Sequence, residues 1–470
     1  MRTDPVHTFT DELAGLDAVA TADAVASGEL HVREVVAAAI GRAETVRGPI
    51  NAVVTDDYER VLASPLDHRS GPFAGVPTFI KDSTDVEGLP TRQGSGALRG
   101  TPAATRTELI AQQMFDMGMV GLGKSTLPEF GFTPSTEFPA APPTRNPWNP
   151  TRTPGGSSGG AAALVAAGVV PIAHGADGGG SIRVPAACCG LVGLKASRGR
   201  LVPSAETKHL PVGIVVDGVV TRTVRDTARY YAAAERRYRN PKLRPVGEVT
   251  DPLTRRLDIG VVPAHPTGAP LDEPTRDGLE SVVALLGDLG HRVRPIPAPI
   301  GPEFAEDFKH YWAMLAFVVR AAGTRLYDPS FDRAGLSDLT DGLAARFRRN
   351  VLRTPGAIRR LRHTAAEAAD LFATVDVMLS PTVTTVPPEL GHLGMDLPFD
   401  VLFPRMEDWI GFTPIANASG APSISLPLAH DDASGTPVGI MFGAGLGEEA
   451  LLLALGLELE QAAPFRTLAG

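Results

Sequence analysis

Residues 154–200 of the chain read PGGSSGGAAALVAAGVVPIAHGADGGGSIRVPAACCGLVGLKASRGR. Two serine sites lie in this stretch, each flanked by glycines: GGSSGG at 155–160 and DGGGSIR at 177–183. Glycine loses more backbone freedom on folding than any other residue, so this density indicates positive φ angles or a close approach of the backbone to another group. We therefore interpret the stretch as a serine-centred active site around which the fold is organised.

The composition is that of a globular protein with a moderate negative charge. The chain has 470 residues, 43% hydrophobic and 21% charged, and a formal net charge of −9. That balance argues against nucleic acid as a partner, and we interpret the basic run at 346–362 as a solvated helix face. The two cysteines, Cys188 and Cys189, are adjacent, which gives no disulfide framework and is typical of a reducing compartment.

No segment of the sequence predicts a signal peptide or a membrane span. The first residues, MRTDPVHTFTDEL, place acids where a signal peptide carries basic residues. The longest apolar run, about 161–172, is shorter than the roughly 20 residues that cross a bilayer. Together with the cysteine usage, these features predict a cytoplasmic protein without a membrane partner.

Helical and strand patterns alternate along the chain. Apolar spacing predicts helices at 8–45, 302–374 and 448–461. Short apolar runs predict strands at 50–55, 71–82, 376–384, 411–428 and 437–442. Strands that alternate with helices on both sides of the glycine-rich stretch predict an α/β fold with a mixed sheet.

Two local matches to other catalytic motifs lack the structural context that those motifs need. Residues 118–125, GMVGLGKS, fit the phosphate-loop pattern, but a helix precedes the first glycine, the strand lies inside the motif and Pro128 follows too soon for a helix. Residues 155–159, GGSSG, fit the nucleophile elbow of α/β-hydrolases, which follows a buried strand. The preceding NPWNPTRTP (146–154) contains three prolines, which makes a central strand there unfavourable.

The second serine site suits a nucleophile better. Three glycines before Ser181 leave consecutive backbone N–H groups unobstructed, as an oxyanion hole requires. A serine needs a base, and no histidine motif, HExxH sequence or cysteine cluster presents one or offers a metal site. A buried lysine can act as a base if its pKa falls, and Lys81, at the end of an apolar strand, is the best placed of the six lysines. A hydroxyl of GGSSGG could relay the proton between them.

At this point the sequence resembles a known family. The segments GVPTFIKD (75–82), GLGKSTLPEFG (121–131), RNPWNPTRTPGGSSGGAAALVAAG (145–168) and DGGGSIRVPAACCGLVGLK (177–195) resemble the amidase signature family. ANASGAPSISLPL (416–428) and TPVGIMFGA (436–444) are similar to its C-terminal pattern. The resemblance therefore extends over nearly the whole chain.

The resemblance implies a Ser–cis-Ser–Lys triad that needs no cofactor and no metal. Carried over motif by motif, Ser181 would be the nucleophile, Ser157 the relay after a cis peptide bond, and Lys81 the base. The amides of Gly178, Gly179 and Gly180, with that of Ser181, would form the oxyanion hole. An ion pair between Asp177 and Arg183 would hold the loop.

The same resemblance implies one large α/β/α domain over residues 1–470, with a mixed, mostly parallel central sheet covered by helices. We place the catalytic core in an N-terminal part, residues 7–240. A C-terminal part, residues 257–470, completes the sheet and the substrate pocket. The division follows a rise in proline and charge at 240–257.

Two features of the sequence bear on which substrate is bound: its departures from the family pattern and the residues expected to line the substrate pocket. Ala176, Gly178 and Ala196 replace commoner residues, and none of them removes a catalytic group. We expect the pocket to be lined from within 131–141, 304–347 and 399–412, with the aromatic residues Phe132, Phe138, Tyr311, Trp312, Phe399, Phe403 and Trp409. An apolar, partly aromatic pocket predicts a hydrophobic or aryl amide, or a carbamate, as the small-molecule substrate.

The motif details resemble stand-alone amidases such as nylon-oligomer and aryl-acylamide hydrolases, acting as a monomer or homodimer. The alternative within the family is the glutaminase subunit of a tRNA-dependent amidotransferase, which has the same triad and works only in a complex. A catalytically silent binding protein is a third reading, which the complete set of catalytic groups disfavours.

Overall fold

The strands form two hydrogen-bonded sheets in a computed structural model that describes residues 4–66, 70–139, 141–204 and 210–469. The strands of this part are β1 (Val53–Asp56), β2 (Pro77–Lys81), β3 (Val120–Ser125), β4 (Ile172–Asp177), β5 (Val192–Lys195), β6 (Val216–Thr221), β7 (Asp258–Val261), β8 (Arg292–Pro295), β9 (Val377–Pro381), β10 (Ser423–Asp431) and β11 (Thr436–Ala444).

Helices cover the sheets and contain more of the described residues than the strands do. They are α1 (Glu12–Gly15), α2 (Ala18–Ser27), α3 (Val32–Ile50), α4 (Tyr58–Ala63), α5 (Leu109–Asp116), α6 (Gly159–Ala166), α7 (Arg183–Cys189), α8 (Val224–Arg237), α9 (Glu273–Asp288), α10 (Pro302–Leu326), α11 (Asp338–Arg349), α12 (Thr354–Phe372), α13 (Phe399–Trp409), α14 (Pro414–Ser419) and α15 (Glu449–Ala462).

The larger sheet has eight strands in the order β4-β6-β5-β10-β11-β9-β7-β8, and the smaller sheet has the order β1-β3-β2. The larger sheet takes strands from both sides of residues 240–257, because β4, β5 and β6 precede that segment and the other five strands follow it. The α/β class and the mixed sheet predicted from the sequence are confirmed.

Antiparallel pairings outnumber parallel ones, which corrects the mostly parallel sheet expected above. Among the described strands, six pairings are antiparallel and three are parallel. In two of the parallel pairings, β2 with β3 and β7 with β8, a crossover helix connects the two strands: α5 in the first and α9 in the second. Antiparallel pairings predominate because β6 returns between β4 and β5, and because β10 and β11 form a hairpin.

The expectation of strands throughout 411–428 is wrong for its first half. Residues Pro414–Ser419 form α14, and β10 begins only at Ser423. Proline has the φ angle of a first helical turn, and Gly420 ends the helix with φ 86°. All six helical residues are buried. The segment therefore lacks the polar face that would have distinguished a helix from a strand.

The apolar run that follows GGSSGG forms the centre of the fold. Every residue of α6 is buried, and its small side chains allow close packing. A Cβ at Gly160, for example, would lie 2.3 Å from Oγ1 of Thr126. In the ranges that the structure describes, no helix combines the length and the apolar character that a membrane span needs.

Candidate active site

Lys81 is the last residue of β2, and the strand carries it into the interior rather than into solvent. All five residues of β2 are buried, and Lys81 is 3% exposed. Its Nζ donates a hydrogen bond to Oγ of Ser157 at 2.8 Å and another to the carbonyl of Ala176 at 3.3 Å. The structure thus joins two of the sequence-predicted site residues directly, although they lie 76 positions apart.

The two serines of GGSSGG have different surroundings. The peptide bond between Gly156 and Ser157 is cis, as the resemblance implies, and Ser157 is 2% exposed beside Lys81. The hydroxyl of Ser158 is held by the backbone of Ala176, accepting from its N–H and donating to its carbonyl, both at 3.3 Å. Ser157 is therefore the serine of the pair whose hydroxyl meets the lysine.

Ser181 lies at the end of the glycine turn between β4 and α7. It lines one cavity of about 130 Å³ together with Lys81 and Ser157. Its carbonyl accepts a hydrogen bond from the N–H of Ser158 at 3.2 Å, which fixes the two serine loops to each other. The three predicted triad residues therefore open into the same cavity.

In the glycine turn, the peptide unit between Gly179 and Gly180 is held by hydrogen bonds at both its N–H and its carbonyl. The N–H of Gly180 donates to Oδ1 of Asp177 at 2.8 Å, and Oγ1 of Thr413 donates to the carbonyl of Gly179 at 2.5 Å. The amide of Gly180, which the sequence assigns to the oxyanion hole, is thus engaged by a carboxylate. Among the described residues, the amides of Gly178, Gly179 and Ser181 donate to no other group.

A buried ion pair fixes the turn, as the resemblance implies. Nη2 and Nε of Arg183 lie 2.9 Å from the two carboxylate oxygens of Asp177, and both side chains are fully buried. Burial alone would raise the pKa of Asp177, but the Arg183 guanidinium and the Asn417 amide hold that pKa well below its usual range. Sequence reasoning did not assign a role to Asn417, which donates to Oδ1 of Asp177 at 2.9 Å.

A histidine that the sequence analysis passed over connects the two sheets. The backbone N–H of Lys81 in β2 donates to Nδ1 of His174 in β4 at 3.3 Å. Nε2 of the same ring lies 3.3 Å from Oδ1 of Asp217 in β6, and the imidazole is fully buried. Because Nδ1 accepts, Nε2 carries the proton and donates to Asp217. A lone histidine without a motif gave no signal of this contact.

Asp82, which follows the candidate base, belongs to a different pair. Its Oδ1 lies 3.0 Å from Nζ of Lys124, the lysine of the phosphate-loop-like sequence, and both side chains are buried. Lys124 also donates to Oγ1 of Thr91 at 2.9 Å. The phosphate-loop-like sequence contains β3 and follows α5, as predicted. It therefore lacks the strand–loop–helix order of a phosphate site, and its lysine forms a buried ion pair instead.

The walls of the catalytic cavity are mostly apolar, and two of the seven aromatic residues expected there line it, Phe132 and Trp312. Phe308, Leu315 and Ile410 also line the cavity and lie within the expected ranges, although the sequence analysis did not name them. Outside those ranges it missed the apolar lining residues Leu127, Phe130, Val184, Ile214 and Val215. Phe130 has a positive φ of 48°, and its N–H donates to the carbonyl of Gln93, which lines the cavity with φ 52°. Two non-glycine residues in this conformation indicate a wall whose shape is enforced by its surroundings.

The other five expected aromatic residues lie elsewhere. The hydroxyl of Tyr311 donates to the carbonyl of Val212, and Trp409 is buried with its indole N–H on the carbonyl of Thr385. Phe399 and Phe403 stack on each other with ring centroids 5.1 Å apart, and Phe138 lines a separate cavity. These positions depend on which way each side chain points, which the sequence segments did not determine.

Comparison with known proteins identifies the family to which the chain belongs. The family model described as Amidase matches residues 34–453 of the chain. The chain belongs to the amidase signature family. It is accordingly a hydrolase that acts on amides.

Individual amidases are similar over nearly their whole length. A protein of Mycobacterium bovis that is named "Putative amidase AmiC" is 47% identical over 467 residues, which cover 98% of this chain and 97% of AmiC. A solved 6-aminohexanoate cyclic dimer hydrolase complexed with substrate has a TM-score of 0.88 and 29% identity, covering 98% of this chain and 100% of that one. A bacterial aryl acylamidase of the amidase signature family has a TM-score of 0.85 and 27% identity, with 96% of each chain covered.

Proposed function

We propose that the protein hydrolyses the C–N bond of a hydrophobic or aryl amide through an acyl-enzyme, with Ser181 as nucleophile, Ser157 as relay and Lys81 as base. The observation that carries the proposal is the 2.8 Å hydrogen bond between Lys81 and Ser157 in the cavity that Ser181 also lines. A serine hydroxyl is a poor nucleophile until a neighbouring group takes its proton, and this arrangement supplies such a group.

The reaction proceeds in two halves. Neutral Lys81 takes the proton of Ser157, which takes that of Ser181, while Oγ of Ser181 bonds to the amide carbon. The tetrahedral intermediate collapses, the C–N bond breaks, and the proton returns from Lys81 through Ser157 to the leaving nitrogen. Water then attacks the seryl ester, the proton path operates again, and the carboxylic acid leaves. Protonation of the nitrogen is essential because an amide anion is a very poor leaving group.

The oxyanion of each intermediate is stabilised by backbone amides of the glycine turn. We assign this role to Gly178, Gly179 and Ser181, which line the cavity. Gly180 acts as a spacer because its amide donates to Asp177. Removal of one such donor in hydrolases costs about 10²–10³ in rate, so the fixed shape of this turn is central to the activity.

The preference for an apolar substrate follows from the cavity walls. Phe130, Phe132, Phe308 and Trp312 surround the catalytic groups, and such walls favour an apolar group over a charged one. The names of two similar proteins, an aryl acylamidase and a hydrolase of a cyclic aliphatic amide, agree with this class. A carbamate has the same carbonyl and nitrogen and is an alternative substrate for the same groups.

A panel of aliphatic amides, anilides and carbamates, assayed with the purified chain alone, tests the proposal. We expect turnover of a simple anilide without ATP or a partner protein, and none by Ser181→Ala. Lys81→Ala is expected to impair amide hydrolysis more than hydrolysis of an activated ester, whose leaving group needs no proton. Full activity of Ser181→Ala would refute the nucleophile, and a requirement for a second subunit would favour the glutaminase alternative.

A further inference from the structure

A second cavity adjoins the catalytic one. It has a volume of about 260 Å³, twice that of the catalytic cavity, and the two share Phe308, Trp312 and Ile410 as lining residues. We call this second cavity the side chamber; its other lining residues are His265, Pro266, Thr267, Ile300, Phe304, Ala305, Lys309, Glu407, Asp408, Gly411 and Pro414.

Aromatic rings on one face of α10 lead from the catalytic turn into the side chamber. Phe304, Phe308 and Trp312 are four residues apart and so lie on the same helix face. The ring of Phe308 lies beside Gly179, where a Cβ would be 3.6 Å from it, and Phe304 stacks on Phe308 with centroids 6.0 Å apart. A substrate arm that leaves the glycine turn would therefore follow a continuous apolar surface.

The charged groups of the side chamber leave its interior suited to an apolar occupant. Nζ of Lys309 lies 2.5 Å from a carboxylate oxygen of Glu306 and also contacts Glu407. This pairing offsets the charge of the lysine. Asp408 is exposed to solvent, whereas Ile300, Phe304, Ala305 and Pro414 supply apolar walls. Apart from Nε2 of His265, which is buried without a hydrogen-bond partner among the described residues, the chemistry of the chamber therefore matches a hydrocarbon or aromatic group.

The size of the catalytic cavity also indicates an extension. Pockets that bind small molecules typically enclose about 300–1,000 Å³, and the catalytic cavity reaches that range only with the side chamber. We propose that the side chamber binds an apolar arm of the substrate, so that the preferred substrates are amides with a long aliphatic or arylalkyl arm. The inference rests on the proposed amidase mechanism and adds the substrate class.

The test is a chain-length series. The p-nitroanilides of straight-chain acids from acetyl to dodecanoyl extend the acyl arm, and acetanilides with a growing 4-alkyl group extend the amine arm. Each buried methylene is expected to raise kcat/KM about fourfold until the chamber is full. We expect this rise in one of the two series, and that series assigns the arm.

The variants fill the chamber without touching the catalytic cavity. Ala305 lines only the side chamber of the two, so Ala305→Trp is expected to abolish the rise with length and to lower kcat/KM far more for the longest substrate than for the acetyl substrate. Ala305→Leu, a milder change, is expected to stop the rise at an intermediate length. Ala321→Trp makes the same substitution at an exposed position of α10 and should behave as wild type.

The possible outcomes separate this inference from the proposed function. Turnover of the acetyl substrate with no dependence on either arm would overturn the inference and leave the amidase mechanism standing. Equal effects of Ala305→Leu on short and long substrates would also overturn it. Absence of turnover for every length would instead contradict the proposed function itself.

Discussion

Thr413→Val is the substitution that most sharply probes the geometry of the glycine turn. Thr413 is fully buried, and its hydroxyl donates to the carbonyl of Gly179 at 2.5 Å. Valine has the same shape without the hydroxyl, so the variant removes one hydrogen bond and little else. The Gly179–Gly180 peptide would then be held only at its N–H end, by Asp177.

The expected magnitude follows from what that peptide orients. A typical hydrogen bond contributes about 1 kcal/mol to stability, so the free energy of unfolding should fall by roughly that amount. In the proposed mechanism the neighbouring amides donate to the developing oxyanion, where loss of one donor costs about 10²–10³ in rate. Because the variant loosens donors and removes none, we expect kcat for an anilide to fall about 10- to 100-fold, with KM changed less than about threefold.

The assay is steady-state kinetics on one anilide, with urea unfolding of the same preparations. Thr413→Ser is the matched control because it keeps the hydroxyl and loses only the methyl group, and it should retain most of the wild-type kcat. A valine variant with kcat within twofold of wild type would refute the reasoning. So would a serine variant as impaired as the valine variant, since packing alone would then explain both.

Two further substitutions test contacts around the site. His174→Asn keeps a polar atom near the Nδ1 position, which accepts from the backbone N–H of Lys81, whereas His174→Gln keeps one near Nε2, which faces Asp217. If His174 positions Lys81, the asparagine variant should retain more of the wild-type kcat than the glutamine variant. The reverse order would contradict this positioning role. Burial is the main cause, and the nearby charge of Arg183 a smaller one, that lowers the pKa of Lys195 from 10.5 to about 7. Between about pH 7 and 10.5 the unfolded chain therefore binds a proton at Lys195 that the native protein does not bind. The free energy of unfolding of the wild type consequently rises with pH in that window. Lys195→Met lacks this dependence, so its stability relative to wild type should be greatest below pH 7 and decline towards pH 10 in urea titrations; a pH-independent difference would contradict the assignment.

Local chemistry made part of the site predictable. Ser181 follows three glycines, and Lys81 ends an apolar strand, so each could be singled out from neighbouring residues. The resemblance to a family then implied different roles for Ser157 and Ser181. The glycine pattern also suggested the oxyanion hole, but it could not show that Gly180 turns its amide towards Asp177.

The residues that the sequence did not reveal act across long separations. Thr413 and Asn417 reach the glycine turn from more than 230 positions away, and hydroxyl or amide side chains carry no motif that announces such a contact. Helix direction explains the pocket residues: Tyr311 and Trp312 are adjacent, yet only the tryptophan lines the catalytic cavity. Adjacent helical residues point about 100° apart, so a segment identified as pocket-lining does not identify its lining side chains.

Strand order explains the remaining error about the fold. The sequence shows that strands alternate with helices, which favours parallel neighbours. It does not show that β6 inserts in reverse between β4 and β5. The same limit applies to α14, where a fully buried segment has no periodicity to read.

The most direct test of the proposed mechanism is to locate the acyl group on the enzyme. The protein is mixed with an activated p-nitrophenyl ester, quenched in acid within the first turnovers and digested with trypsin. Ser157 and Ser181 fall in the same tryptic peptide, residues 153–183, so fragment-ion mass spectrometry must distinguish them. We predict the acyl mass on Ser181 and no adduct in Ser181→Ala; an adduct on Ser157, or continued turnover by Ser181→Ala, would contradict the account.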